Sequence, residues 1–204
     1  MFDPLKSWSV GPFTLSIEML VLLLAVGVGY AAMNLYLNRM KVKEREEVLD
    51  AVMVSIVIGV ILYKFWPFIQ QPGLLTEPRN LLFYAGGPFA FLVSSFGGII
   101  YFLIQGIRKK WSHHAWDSAS VATVSALVVS TLSIKKYGVI SPFTMGYQLD
   151  DIVYHPVNLY ESWLFIFVLL GALILVPAKK KFGRSVFIII GISVSLYLVS
   201  PFGV

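Results

Sequence analysis

Six long apolar runs, parted by short polar loops, limit this chain to one class of structure. They cover about residues 13–37, 48–68, 81–107, 117–134, 158–176 and 185–202. Each is close to the ~20 residues that carry a helix across a hydrocarbon layer. The runs are continuous, not alternating, so they read as helices and not as barrel strands. A helix also satisfies its own backbone N–H and C=O groups, which lipid cannot do. The expected fold is an all-α integral membrane protein: a six-span transmembrane helix bundle forming a single domain over residues 1–204. Short loops make sequential helices antiparallel neighbours.

Composition fits that class. Hydrophobic residues make up 57% of the chain and charged residues 13%, against roughly 45–50% and 25% for soluble domains. The net charge of +5 is therefore a topology signal, and no nucleic-acid partner is implied. Cysteine is absent, which excludes disulfides, thiolate metal sites and cysteine nucleophiles. Residues 1–11 lack the basic n-region and small-residue cleavage site of a signal peptide, so the first span is expected to do the targeting.

The basic residues fix an orientation. Eleven of sixteen lie on one side. These are Arg39, Lys41, Lys43 and Arg45 after the first span, Arg108, Lys109 and Lys110 after the third, and Lys179, Lys180, Lys181 and Arg184 after the fifth. Lys6, Lys64, Arg79, Lys135 and Lys136 lie on the other side. The positive-inside rule then places both termini outside.

Several residues depart from the apolar pattern. Glu18 sits near the outer end of the first span. A charge at the bilayer centre costs ~2.5 kcal/mol or more and less near the surface, so Glu18 should face the bundle, with Lys64 a candidate partner. The alternative is that Lys64 snorkels to the headgroups as an anchor. Span three carries Gly86-Gly87-Pro88 and then Gly97-Gly98. Pro88 lacks an N–H and should break the helix, and the glycines admit either a lipid headgroup or a neighbouring helix. His113-His114 lack a nearby third ligand, and no metal or other cofactor is expected. Asp117 reads as the N-cap of span four. That span is rich in small and hydroxyl residues and belongs in the middle of the bundle.

The densest chemistry lies in residues 154–161, Tyr-His-Pro-Val-Asn-Leu-Tyr-Glu, at the outer mouth of span five. One reading is a capped and anchored helix entry, with proline near the first helical position and aromatics at headgroup depth. The other is a site. Helix N-termini offer unpaired N–H groups to anions, and Asn158 and Glu161 share a face. His155 is the only histidine on the outer side, and imidazole is the side chain whose ordinary pKa lies near neutrality.

The heptapeptide His155-Pro156-Val157-Asn158-Leu159-Tyr160-Glu161 resembles the H-P-[ST]-Q-L-Y-E motif of the bacterial prolipoprotein diacylglyceryl transferases. Those enzymes move a diacylglyceryl group from phosphatidylglycerol to the lipobox cysteine of a preprolipoprotein. Ser7-Trp8-Ser9-Val10-Gly11-Pro12 is similar to the family's entry into its first span. Gly86-Gly87 with Phe96-Gly97-Gly98 resembles its G-G-x-x-x-H-G-G. Elsewhere the chain departs from the pattern. The family's first-span tyrosine falls at about Glu18, and its H-G-G histidine falls on Phe96 or, without a gap, on Phe91. The arginine of its G-R-x-G-N signature falls on Thr131 or Leu132, with Lys135 and Lys136 the nearby cations. A second arginine falls near Leu196, and six spans stand against the family's seven.

The resemblance implies His155 as the catalytic base with Glu161 orienting it. It implies Glu18, Gly86, Gly87, Gly97, Gly98, Lys135, Lys136, Asn158 and Tyr160 as lipid or headgroup contacts, with Glu18, Gly86, Gly87 and His155 bordering one cavity. Partners would be a phospholipid, in the first place phosphatidylglycerol, and a lipoprotein or another membrane protein. The location implied is the bacterial cytoplasmic membrane. Without the paired guanidinium forks that grip phosphate, the expected function is lipid binding by a diverged, non-catalytic relative, as an accessory subunit of a membrane complex. The alternatives are an active transferase and, from Glu18 and the Pro88 break, a small-solute transporter. The orientation has a direct test: a cysteine introduced beside Lys180 should be labelled only after the membrane is permeabilised, and labelling in intact cells would reverse the topology.

Overall fold

A computed structural model describes residues 1–3, 7–10, 13–77, 79–143 and 145–203, with the side chains of residues 7–10, 13–15, 82 and 83 outside the description. The elements in chain order are β1 (Ser7–Val10), β2 (Phe13–Ser16), α1 (Ile17–Arg39), α2 (Arg45–Gln70), a 3₁₀ turn (Pro72–Thr76), α3 (Asn80–Phe83), α4 (Ala90–Arg108), α5 (His113–Ser133), β3 (Tyr137–Ile140), β4 (Tyr147–Leu149), β5 (Ile152–Pro156), α6 (Val157–Ile174), α7 (Gly183–Val199) and a closing 3₁₀ turn (Ser200–Phe202). Six of the helices are long and apolar enough to cross a membrane. The chain is a multi-pass, predominantly helical membrane protein. Its contacts divide it into two compact units, Met1–Val42 with His113–Val204, and Lys43–Ser112.

In the larger unit α5 packs against α1, α6 and α7. Its small side chains permit this. Gly29 of α1 lies so close that a Cβ there would stand 3.0 Å from the carbonyl oxygen of Ala122. The hydroxyls of Ser118, Thr123, Ser125 and Thr131 donate to carbonyls three or four residues back in α5 itself, so they need no partner across the bundle. Tyr36, Val121, Val124, Phe165, Ala172 and Ile188 form the apolar core between the four helices.

One end of this unit is held by two buried charges. α5 begins at His113, not at Asp117. Asp117 is instead fully buried one turn in, and its Oδ1 accepts from the backbone N–H (2.9 Å) and the hydroxyl (2.7 Å) of Ser185. Ser185 is the third residue of α7, so the residue expected to cap its own helix caps another. Arg184 reads from the sequence as one more loop cation, yet it is buried. Its guanidinium donates to the Tyr36 hydroxyl at 2.9 Å and to the carbonyls of Leu173 and Val176 at the close of α6. An acid thus serves a helix N-terminus and a base a helix C-terminus, the arrangement the helix dipoles favour.

The other end of the unit carries short strands absent from the sequence reading. β1 and β2 pair antiparallel, so the first span starts at Ile17 and residues 13–16 are extended. Gly11 and Pro12 of the expected entry motif lie outside the described residues. β3, β5 and β4 form a second sheet in that order. β4 and β5 are joined by Asp150 and Asp151, both at positive φ (48° and 63°). Two such residues are the mark of the tight hairpin turn whose twist matches its strands, and Asp tolerates that region better than most residues.

In the smaller unit α2 packs against α4. The span expected over 81–107 is broken where Pro88 lies. α4 starts only at Ala90, and residues 84–87 are not helical. Gly86 and Gly87 sit at φ 78° and 103°, conformations that glycine adopts without strain. The freed backbone groups find partners on α2. Lys64 Nζ donates to the Tyr84 carbonyl (2.8 Å), Gly86 N–H to the Tyr63 carbonyl (3.0 Å), and Trp66 Nε1 to the Pro88 carbonyl (2.7 Å). Gly97 and Gly98 face α2, and a Cβ on Gly98 would stand 2.8 Å from the Ser55 carbonyl oxygen. Their place is helix packing through small residues.

The tertiary cap makes a stability prediction. Asp117→Ala leaves the Ser185 N–H and hydroxyl buried without that acceptor and should cost roughly 1–2 kcal/mol. Asp117→Asn keeps an acceptor oxygen and should cost less. The midpoint of thermal unfolding in detergent checks the order wild type, Asn, Ala.

Candidate functional site

Where α5 ends and α6 begins, the larger unit holds a cavity of about 490 Å³ lined by Glu18, Ser130, Thr131, Ile134, Lys135, Lys136, Tyr137, Asn158 and Glu161. The volume falls in the range of about 300–1,000 Å³ typical of small-ligand sites. Backbone geometry explains why these residues meet. α5 stops at Ser133, and residues 134–136 lead directly into β3, which pairs with β5. β5 runs on into α6, so the last turn of α5 and the first turns of α6 lie side by side.

Asn158 joins the two. Its amide donates to the Thr131 carbonyl at 3.0 Å, and its carbonyl oxygen accepts from the Lys136 N–H at 3.2 Å. The first of these satisfies a carbonyl left over at the end of α5. The Ser162 hydroxyl lies 2.6 Å from the Asn158 carbonyl and 2.9 Å from the Thr131 hydroxyl, continuing the seam. The N-terminal segment closes the same edge: Phe2 N–H donates to the Ser133 carbonyl and Lys135 N–H to that of Phe2.

The charges are arranged unequally. Lys136 Nζ lies 2.7 Å from Glu161 Oε1, with the lysine side chain 57% exposed and the glutamate 9%. Glu161 is therefore a buried carboxylate whose hydrogen-bonding partner among the described residues is a lysine. Lys135 places Nζ 5.3 Å from the centroid of the Tyr147 ring, within reach of a cation–π attraction. Glu18 is exposed and lines the cavity from the first turn of α1.

The expected His155–Glu161 pair is not formed. His155 lies in β5, buried, with Nδ1 3.0 Å from the Tyr160 hydroxyl and its ring 5.1 Å from that of Phe202. Strand and helix send the two side chains to different neighbours. Nor do the residues of 154–161 cap α6 through a side chain: Pro156 holds the N-cap position, the Val157 N–H donates to the Lys136 carbonyl, and Glu161 lies beyond the first turn. Of the expected lipid contacts, Glu18, Lys135, Lys136 and Asn158 meet in this cavity, joined by Glu161. Tyr160 borders a second cleft, while Gly86, Gly87, Gly97 and Gly98 belong to the smaller unit.

That second cleft, about 290 Å³, is lined by Met145, Gly146, Tyr147, Pro156, Leu159, Tyr160 and Trp163. It lies on the other side of the same α6 turns. Tyr137 lines the first cavity and Tyr147 the second, and their rings pack edge to face at 5.5 Å. Tyr137 and Tyr147 were not singled out from the sequence, because strand pairing brings them here. The available signal was the short alternation around Asp150-Asp151. Among the described residues no group of three or more His, Cys, Asp and Glu gathers to hold a metal ion.

A scan against models of known protein families finds no match, and no curated protein matches the sequence.

Asn158 is 1% exposed, and its loss strands buried partners on two elements. Asn158→Ala should cost ~1–3 kcal/mol. The destabilisation should appear as faster hydrogen exchange at Lys136 and Val157, whose N–H bonds close the seam. Unchanged exchange there would show that the amide does not hold the two ends together.

Proposed function

We propose that this chain is a diverged relative of the prolipoprotein diacylglyceryl transferases. It binds a phospholipid at the outer leaflet of a bacterial cytoplasmic membrane without the family's full catalytic set, as an accessory subunit of a membrane complex. One observation carries this reading: Lys135 and Tyr137 of a charged cavity pack against Tyr147 of an apolar aromatic cleft. An amphiphile needs such a pair of compartments, one for a headgroup and one for the hydrocarbon beside it. Trp163 and Tyr160 in the cleft are of the type that sits at headgroup depth.

The charges favour binding over transfer. Transfer from a phospholipid needs a base for the acceptor proton and a cationic clamp for the departing phosphate. Here the imidazole is engaged with Tyr160 and does not line the cavity, and one of the two lysines is paired with Glu161. A lysine holds phosphate as a point charge, without the fork geometry of arginine.

Native mass spectrometry of the protein released from mild detergent tests the reading. The wild type should carry a glycerophospholipid, and the Lys135→Gln/Lys136→Gln double variant should carry much less. A lipid-free wild type, or equal retention by the variant, would remove the proposal. In parallel, incubation with phosphatidylglycerol and a lipobox peptide should give no diacylglyceryl transfer. Robust turnover would instead make the chain an enzyme.

A further inference from the structure

Resting on the lipid reading above, we infer that the cavity takes a zwitterionic headgroup, a phosphate linked to a primary ammonium as in phosphatidylethanolamine, in preference to an anionic one such as phosphatidylglycerol. The reason is the charge inventory of the wall. Two carboxylates, Glu18 and Glu161, and two ammonium groups, Lys135 and Lys136, line the cavity, so its described lining has no formal net charge. A pocket for a net anion carries surplus positive charge, and among the described lining residues there is none.

The inventory divides further. Lys136 and Glu161 neutralise each other at 2.7 Å, with the Glu161 side chain 9% exposed. Separating them to free Lys136 for a phosphate would leave a buried carboxylate unpaired, which is strongly unfavourable. That leaves one cation and one anion for a ligand. Lys135 stands over the ring of Tyr147, a residue of the apolar cleft. Glu18 makes no ion pair among the described residues. A phosphate beside Lys135 is attracted by that lysine and repelled by Glu18. An ammonium on the same ligand turns the second interaction into an attraction and supplies three N–H donors to the carboxylate. A quaternary ammonium, as in phosphatidylcholine, has no N–H to give. The phosphate belongs on the Lys135 side, because the hydrocarbon attached to it then lies toward the aromatic cleft.

Lipid competition on the intact protein tests this. Protein exchanged into an equimolar mixture of phosphatidylethanolamine, phosphatidylglycerol and phosphatidylcholine should retain phosphatidylethanolamine about tenfold over each of the others by native mass spectrometry, equivalent to ~1.4 kcal/mol. Glu18→Gln, a change on an exposed first-turn position, should bring the ethanolamine-to-glycerol ratio to one or below. Lys135→Gln should lower all three together. Soluble phosphoethanolamine should compete only at concentrations far above the lipid, since it leaves the cleft empty. Equal competition would overturn a lipid as the source of the headgroup. A wild-type preference for phosphatidylglycerol, or a ratio unmoved by Glu18→Gln, would overturn the inference while leaving lipid binding standing. Retention of none of the three would instead remove the lipid reading beneath it. Should Glu18→Gln not fold, the wild-type ratio alone decides.

Discussion

The side-chain amide of Asn158 is the contact on which the polar end of the larger unit depends. A helix that stops near an apolar layer leaves carbonyls that water does not reach, and each must find a donor. Asn158 supplies one to Thr131 and takes one from Lys136. With both ends of that amide used, the end of α5 is tied to the start of α6 beside the cavity. The ion pair of Lys136 and Glu161 sits beside it and inherits its geometry from the same seam. The opposite end of the unit uses the same logic with full charges. Asp117 takes the N–H of α7, and Arg184 covers the carbonyls of α6.

Much of this was legible from the residues, and the limits have physical causes. Hydropathy located all six spanning helices, because lipid admits few alternatives. It misplaced some ends, because ends are set by partners elsewhere. Asp117 has the chemistry of a cap but caps the helix that passes it in space, and only packing reveals which one. Pro88 marked a break correctly, since a missing N–H is a local fact. The strands around Asp150-Asp151 were hidden by their shortness, and the property that joins them is the tolerance of those two residues for positive φ. The heptapeptide 155–161 borders both the charged cavity and the aromatic cleft, but the pairing it suggested, His155 with Glu161, is not formed. A spacing of six residues says little when a strand ends and a helix begins between them.

The two lysines show why residue type alone does not predict a site's preference. Lys135 and Lys136 are neighbours in sequence and would be counted as one basic dipeptide. The backbone at the start of β3 sends one to a carboxylate and the other over an aromatic ring. A basic pair thereby becomes one internal neutralisation and one available charge.

The helices of the smaller unit are unequal in length. α2 has 26 residues and α4 has 19, which at 1.5 Å per residue are roughly 39 Å and 29 Å. A hydrocarbon layer of ~30 Å matches the shorter helix, and the longer one exceeds it, with Arg45, Glu46 and Glu47 in its first turn. The last turns of α2, with Lys64, Trp66 and Gln70, are the ones that clasp residues 84–88. In a thin bilayer that clasp stands among headgroups, where water competes for its hydrogen bonds. In a thicker one, the acyl chains rise over it and the same bonds become obligatory.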